Sequence, residues 1–252
     1  MELNLTDRVF VVTGGSRGLG RATADALVAD GARVVISARG QDAVDAAVAA
    51  LGQDRAAGLP ADLGDPDAAE RLAALARERF GRLDGALVSV GGPPPGTASA
   101  ATDEQWRAAF ETVFLGAVRA ARTFAAELAE GEGGAIGLVL SSSARSPITG
   151  LGISNGLRPG LAMVAKDLAD EYGPRGVRVL GLLPGRIATD RLRQLDAAND
   201  PAVRQRSLDG IPLRRYGQPA EFGRVAAFLL SPAASYVTGT TLPIDGGALR
   251  TP

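Results

Sequence analysis

Along residues 9–12 (VFVV), 34–37 (VVIS), 86–90 (ALVSV), 136–140 (IGLVL) and 177–183 (VRVLGLL), apolar positions run together without regular polar alternation. Such runs predict strands covered on both faces. Between them, residues 18–30, 41–51, 66–79 and 103–129 place apolar side chains at helical spacing, with the opposite faces rich in Arg, Glu and Asp. That pattern predicts amphipathic helices. Trp106 and Phe110, spaced i,i+4, are expected to face the core. A repeated strand–helix alternation builds a parallel sheet with helices on both faces. The expected fold is α/β, a single doubly wound sheet forming one domain over residues 1–252. GGPPPG at 91–96 reads as a stiff local loop. The one long irregular stretch, roughly 186–212, is expected to be a substrate loop, because so long a loop in a compact domain is usually functional.

Composition narrows the chemistry. At 252 residues and 46% apolar, the chain can bury one large core. A net charge of −1 gives no footprint for nucleic acid or an anionic membrane. There is no Cys and no His. Disulfides, thiol nucleophiles and thiolate metal sites are excluded, and the commonest general base is missing, so no metal is expected. No apolar run approaches a membrane span, and the opening MELNLTDR lacks the apolar core of a signal peptide. The expectation is a cytoplasmic protein. Lys166 is the only lysine, and that bias, with abundant Ala and Gly, is the mark of a GC-rich bacterial genome.

The clearest chemical motif is TGGSRGLG, Thr13 to Gly20, after the first strand and opening the first helix. Gly14, Gly18 and Gly20 fall where a tight turn lets a diphosphate approach the backbone and a helix N-terminus, as in a Rossmann dinucleotide site. The second strand ends at Ser37-Ala38-Arg39, where an NAD site would place a carboxylate on the ribose hydroxyls. Arg39 and Arg17 can instead bracket a 2′-phosphate, which favours NADP(H) over NAD. The alternative is that both are solvated arginines in an Arg-rich chain.

Nearly the whole chain resembles the short-chain dehydrogenase/reductase family, with the bacterial 3-oxoacyl-acyl-carrier-protein reductases as its nearest well-known relatives. The resemblance implies a cofactor site made by Gly14, Ser16, Arg17, Gly18, Leu19 and Gly20, with Arg39. Asp62-Leu63 would hold the adenine, and Pro184-Gly185 with Thr189 the nicotinamide carboxamide. The run 211–247 is similar to the family's C-terminal signature, whose helix and strand build the interface of homo-dimers and homo-tetramers.

The departures from the family fall at the chemistry. ISNGLRPG at 153–160 carries Ser154 and Arg158 where the family has Tyr-x-x-x-Lys. Val113 stands where the family has a water-holding Asn, and Ser89-Val90-Gly91-Gly92 replaces NNAG. The family's substrate-orienting serine is matched by Ser141, thirteen positions before Ser154. An aliphatic hydroxyl is a far weaker acid than a phenol, and a guanidinium cannot donate its proton near neutrality. It can stabilise developing negative charge. Pro159 implies that this helix either begins near Arg158 or is bent there.

Three readings follow. In the first, the protein is an NADP(H)-dependent oxidoreductase in which Ser141 and Ser154 bond the substrate oxygen and Arg158 stabilises its charge. An anionic or acyl-carrier-linked substrate would suit Arg158 and the loop containing Arg186, Arg191 and Arg193; that loop reads equally as a solvated segment. In the second, it binds NADP(H) without turnover, as a sensor or as a subunit paired with an active relative. In the third, the fold persists as an interaction protein, against which Arg39, Asp62 and the glycines count.

Overall fold

The computed structural model describes residues 2–190, 192–193 and 201–250. Its centre is a seven-stranded, all-parallel sheet in the order β3-β2-β1-β4-β5-β6-β7. The strands are β1 Val9–Val12, β2 Arg33–Ala38, β3 Ala56–Pro60, β4 Gly85–Val88, β5 Gly134–Val139, β6 Val177–Pro184 and β7 Thr241–Ile244. The five expected from apolar runs are present. The two missed, β3 and β7, are the edges of the sheet, only partly buried, and each contains a proline. Proline is tolerated there because an edge strand needs fewer ladder donors.

Helices cover both faces. On one side pack α3 (Ala68–Phe80), α5 (Gly116–Ala129) and α6 (Gly152–Tyr172), through residues such as Leu72, Phe124 and Leu161. On the other lie α1 (Gly18–Ala29), α2 (Gln41–Leu51) and α8 (Pro219–Leu230), through Leu27, Val44 and Phe222. Helices α1 and α8 meet backbone to backbone: a Cβ at Gly223 would lie 2.2 Å from the Ala22 carbonyl oxygen. No helix among the described residues is long and apolar enough to cross a membrane.

Two expectations are corrected. Residues 103–129 do not form one helix: α4 (Asp103–Ala109) passes into a π-helical turn, Phe110–Leu115, before α5. The wider turn changes the phase of the side chains, so Val113 is buried while Phe110 is 45% exposed and stacks on Phe114. Trp106 and Phe110 both line a surface groove, but Trp106 is half-buried and packs on the apolar cluster around Val113, so only Phe110 departs from the expected core-facing position. The stretch 186–212 is not irregular throughout, since it contains α7 (Pro201–Asp209), a helix of low amphipathicity that leaves little trace in an apolar pattern.

Candidate cofactor and active site

Strand order reverses beside β1, whose neighbours are β2 and β4, and ligands of such sheets bind at that crevice, beyond the carboxyl ends of the strands. The glycine turn sits there. Thr13 Oγ1 donates to the Ser89 carbonyl (2.9 Å) and accepts the Ser89 N–H (2.8 Å), tying β1 to the end of β4. Gly15 N–H donates to the Ser37 carbonyl at 2.9 Å. Gly14 and Gly18 both have φ of +61°, and a Cβ at Gly20 would meet the Gly14 carbonyl oxygen at 2.4 Å. These positions need glycine for backbone reasons alone. The same turn leaves the N-terminus of α1 without a side-chain cap and without an acidic residue in its first turn. An uncapped positive helix end beside a bare backbone suits a phosphate.

Around this turn the other expected cofactor residues assemble unevenly. Ser16 and Leu19 are partly exposed, whereas Arg17 and Arg39 are exposed and have no ion-pair partner among the described residues. Asp62 is exposed beyond β3, its Oδ1 accepting the Gly64 N–H at 2.9 Å. Leu63 is buried, and its carbonyl oxygen packs so closely on α5 that a Cβ at Gly116 would approach to 2.4 Å. Pro184-Gly185 ends β6, with Gly185 N–H bonded to the Ile244 carbonyl at 3.0 Å. Thr189 reaches the glycine turn, its Cγ2 lying 3.7 Å from where a Gly18 Cβ would be.

The candidate chemistry lies where β5 passes into α6. Helix α6 starts at Gly152, so Ser154 and Arg158 both fall in its first two turns and share a face. Its start near Arg158, one of the two expectations, is overturned; Pro159 lies inside the helix and removes the N–H that the Asn155 carbonyl would accept. Ser154 is 5% exposed and Arg158 4%. Arg158 Nη1 donates to the Val139 carbonyl at 2.8 Å, anchoring the guanidinium beneath the end of β5.

The three serines after β5 do not act alike. Ser141 Oγ accepts the Ser143 N–H at 3.1 Å, and Ser142 Oγ donates to the Pro184 carbonyl at 3.2 Å. Ser143 Oγ lies 3.0 Å from Ser154 Oγ. The structure thus pairs Ser154 with Ser143, while Ser141, matched by resemblance to the family's substrate-orienting serine, is bonded to the Ser143 N–H. Sequence offers three hydroxyls here and no local signal that tells them apart.

Two further features were missed. Ala109, Val113, Ile153 and Leu157 form a small apolar cluster against Val90, Trp106 and Phe114, which packs hydrocarbon beside the first turns of α6. Asn155 clamps the loop before the helix, accepting the Ile148 N–H and donating to its carbonyl, both at 2.9 Å. Of the loop arginines, Arg191 lies outside the described residues, and Arg193 pairs with Asp190. Arg186 lines a cavity of about 490 Å³ with Ile187, Arg215, Glu221 and Asp245; Ser141, Ser154 and Arg158 do not border it.

Comparison with known proteins agrees with this architecture. A family model described as enoyl-(acyl carrier protein) reductase matches residues 14–248. Levodione reductase of Leifsonia aquatica is 34% identical over 258 residues, covering 96% of this chain and 94% of that protein. The 3-oxoacyl-[acyl-carrier-protein] reductase of Synechocystis sp. is 32% identical, with 96% and 97% covered. The crystal structure of L-sorbose reductase from Gluconobacter frateurii, complexed with NADPH and L-sorbose, is similar with a TM-score of 0.92. It is 28% identical and the match covers 100% of both chains.

Proposed function

The chain belongs to the short-chain dehydrogenase/reductase family, and from that premise we propose that it is an NADP(H)-dependent oxidoreductase of a carbonyl or hydroxyl substrate with an altered catalytic set. The observation that carries this reading is the glycine turn. It ends on a helix with no side-chain cap and no acidic residue in its first turn. Two exposed arginines flank it, with Arg39 where an NAD site would hold a carboxylate. Gly14, Ser16, Arg17, Gly18, Leu19 and Gly20 would hold the diphosphate and Arg39 the 2′-phosphate. Asp62-Leu63 would take the adenine, and Pro184, Gly185 and Thr189 the carboxamide. Bound there, NADPH supplies the hydride for carbonyl reduction.

The protein's own contribution to the chemistry is then to hold the reacting oxygen. Ser154 donates to it, with Ser141 as the second hydroxyl, and the buried positive charge of Arg158 stabilises negative charge that develops on it. Neither group is a good acid, so the proton arrives through water. The substrate class that suits these groups is a carbonyl with an anionic or acyl-carrier-linked remainder. We place the protein in the cytoplasm as a homo-dimer or homo-tetramer built through α8 and β7, near which Tyr236 and Leu242 lie exposed.

A second reading has one specific observation in its favour. Val113 sits in an apolar cluster with Ile153 and Leu157 beside the head of α6, and by the resemblance Ser154, Arg158 and Val113 stand at the positions of the family's Tyr, Lys and Asn. That combination suits a protein that binds NADP(H) without turning it over.

Calorimetric titration with NADPH and NADH tests what the two readings share. Tight binding that prefers NADPH is the expected result, and no binding of either nucleotide would remove both. Loss of nicotinamide absorbance on adding levodione, L-sorbose or a 3-oxoacyl thioester then separates an enzyme from a binder.

A further inference from the structure

The pair Ser143–Ser154 has a property that its single distance does not state. Two hydroxyls carry two protons, and a contact of 3.0 Å accounts for one of them. The other has no protein acceptor among the described residues, for neither hydroxyl makes any further hydrogen bond there. Both side chains are nearly sealed, at 3% and 5% exposure. A buried O–H without an acceptor is unfavourable, and an acceptor oxygen brought by a ligand would complete it.

The neighbouring serines are bonded elsewhere and do not pair with Ser154. Ser142 gives its proton to the Pro184 carbonyl, and Ser141 turns its oxygen to the Ser143 N–H as a cap on the short turn. The backbone of that turn therefore fixes where the Ser143 hydroxyl points. Position 154 is fixed independently, by the head of α6.

We propose that Ser143 is a positioning residue for the site. It donates to Ser154 Oγ, so that the Ser154 proton is presented to an acceptor oxygen of the substrate, a carbonyl oxygen. Arg158, one turn further along the same face of α6, acts electrostatically on that oxygen. The inference rests on the oxidoreductase reading and deepens it. The hydroxyl partner of Ser154 is Ser143, and the group the pair recognises is a hydrogen-bond acceptor.

The test compares the whole protein with Ser143→Ala and Ser143→Thr, using NADPH with levodione, L-sorbose and a 3-oxoacyl thioester. On the carbonyl that the unsubstituted protein reduces best, Ser143→Ala is expected to lower kcat about tenfold while the NADPH Kd stays within about twofold. Ser143→Thr keeps a hydroxyl and should recover most of the loss. An unchanged kcat in Ser143→Ala overturns the role of Ser143 and leaves the oxidoreductase reading standing. Joint loss of kcat and NADPH affinity, without rescue by Thr, marks a structural residue and overturns it equally. If the unsubstituted protein binds NADPH but reduces none of the three carbonyls, the oxidoreductase reading falls and this proposal falls with it.

Discussion

Arg39 and Arg158 show how differently one residue type works in two surroundings. Arg158 is sealed beneath β5, where a guanidinium's planar set of donors can bond a backbone carbonyl and still project charge. Arg39 stands in solvent at the end of β2 with no carboxylate partner among the described residues. Replacing it by Asp would remove a 2′-phosphate ligand and supply a ribose-hydroxyl acceptor. The ratio of NADPH to NADH affinity should fall at least about tenfold, a change of ~1.4 kcal/mol; an unaltered ratio by calorimetry would make Arg39 a surface charge only. At this scale the glycine turn was legible in the sequence because its eight residues are contiguous. The Ser143–Ser154 pair was not, because it depends on where α6 begins across eleven positions of chain.

Among the elements, the head of α6 is held more firmly than its sequence suggests. Gly96 N–H bonds to the Gly150 carbonyl at 2.7 Å, and Gly152 N–H returns to the Gly96 carbonyl at 2.8 Å. A Cβ at Gly152 would lie 2.3 Å from the Ala98 nitrogen. The triproline loop after β4 is thereby stitched to the segment that carries Ser154, and Asn155 closes the other side through Ile148. Asn155→Ala should lower the unfolding free energy by about 1–2 kcal/mol, since it leaves the partly buried Ile148 N–H unpaired while the Ile148 carbonyl keeps the Leu151 N–H. Hydrogen exchange would show the effect at the Ile148 amide, and unchanged protection there would mean the loop is held by the Gly96 bonds alone. Apolar runs found the five inner strands because their burial on both faces forces that composition. Edge strands carry no such requirement, so AAGLP and TLPI passed as loop.

For the molecule as a whole, the C-terminal part is fastened by ionic and carbonyl contacts that outlast the apolar pattern. Arg178 Nη1 donates to the carbonyls of Leu229 (2.8 Å) and Val237 (3.2 Å), and Nη2 to that of Ser231 (2.9 Å), closing the end of α8. At the other end of that helix, Glu221 receives two bonds from Arg215 and one from the Gln218 N–H, which hold its carboxyl down to about 2. Because its ordinary value is near 4.5, the folded protein binds fewer protons than the unfolded chain between those two pH values. Stability therefore rises with pH across that window. Glu221→Gln should melt slightly below the unsubstituted protein above pH 4.5, and the gap should close as pH falls towards 2. Solvent screening of this exposed pair keeps the gap small. A gap in Tm that persisted undiminished at the acid end would assign the difference to something other than this carboxylate.

Helix α1 offers its N-terminus to the nucleotide crevice but rests on α8, with no room for even a methyl group between Gly223 and Ala22. During synthesis those two surfaces are separated by roughly 200 residues, which at ribosomal speed is a wait on the order of ten to forty seconds. Until then Ala24 and Leu27, which pack against Phe222 and Ala226 in the finished fold, lack that half of their seat. The helix that carries the phosphate turn is thus fully seated only once α8 has been made. A chaperone or a protease therefore meets α1 half-seated for the whole of that interval.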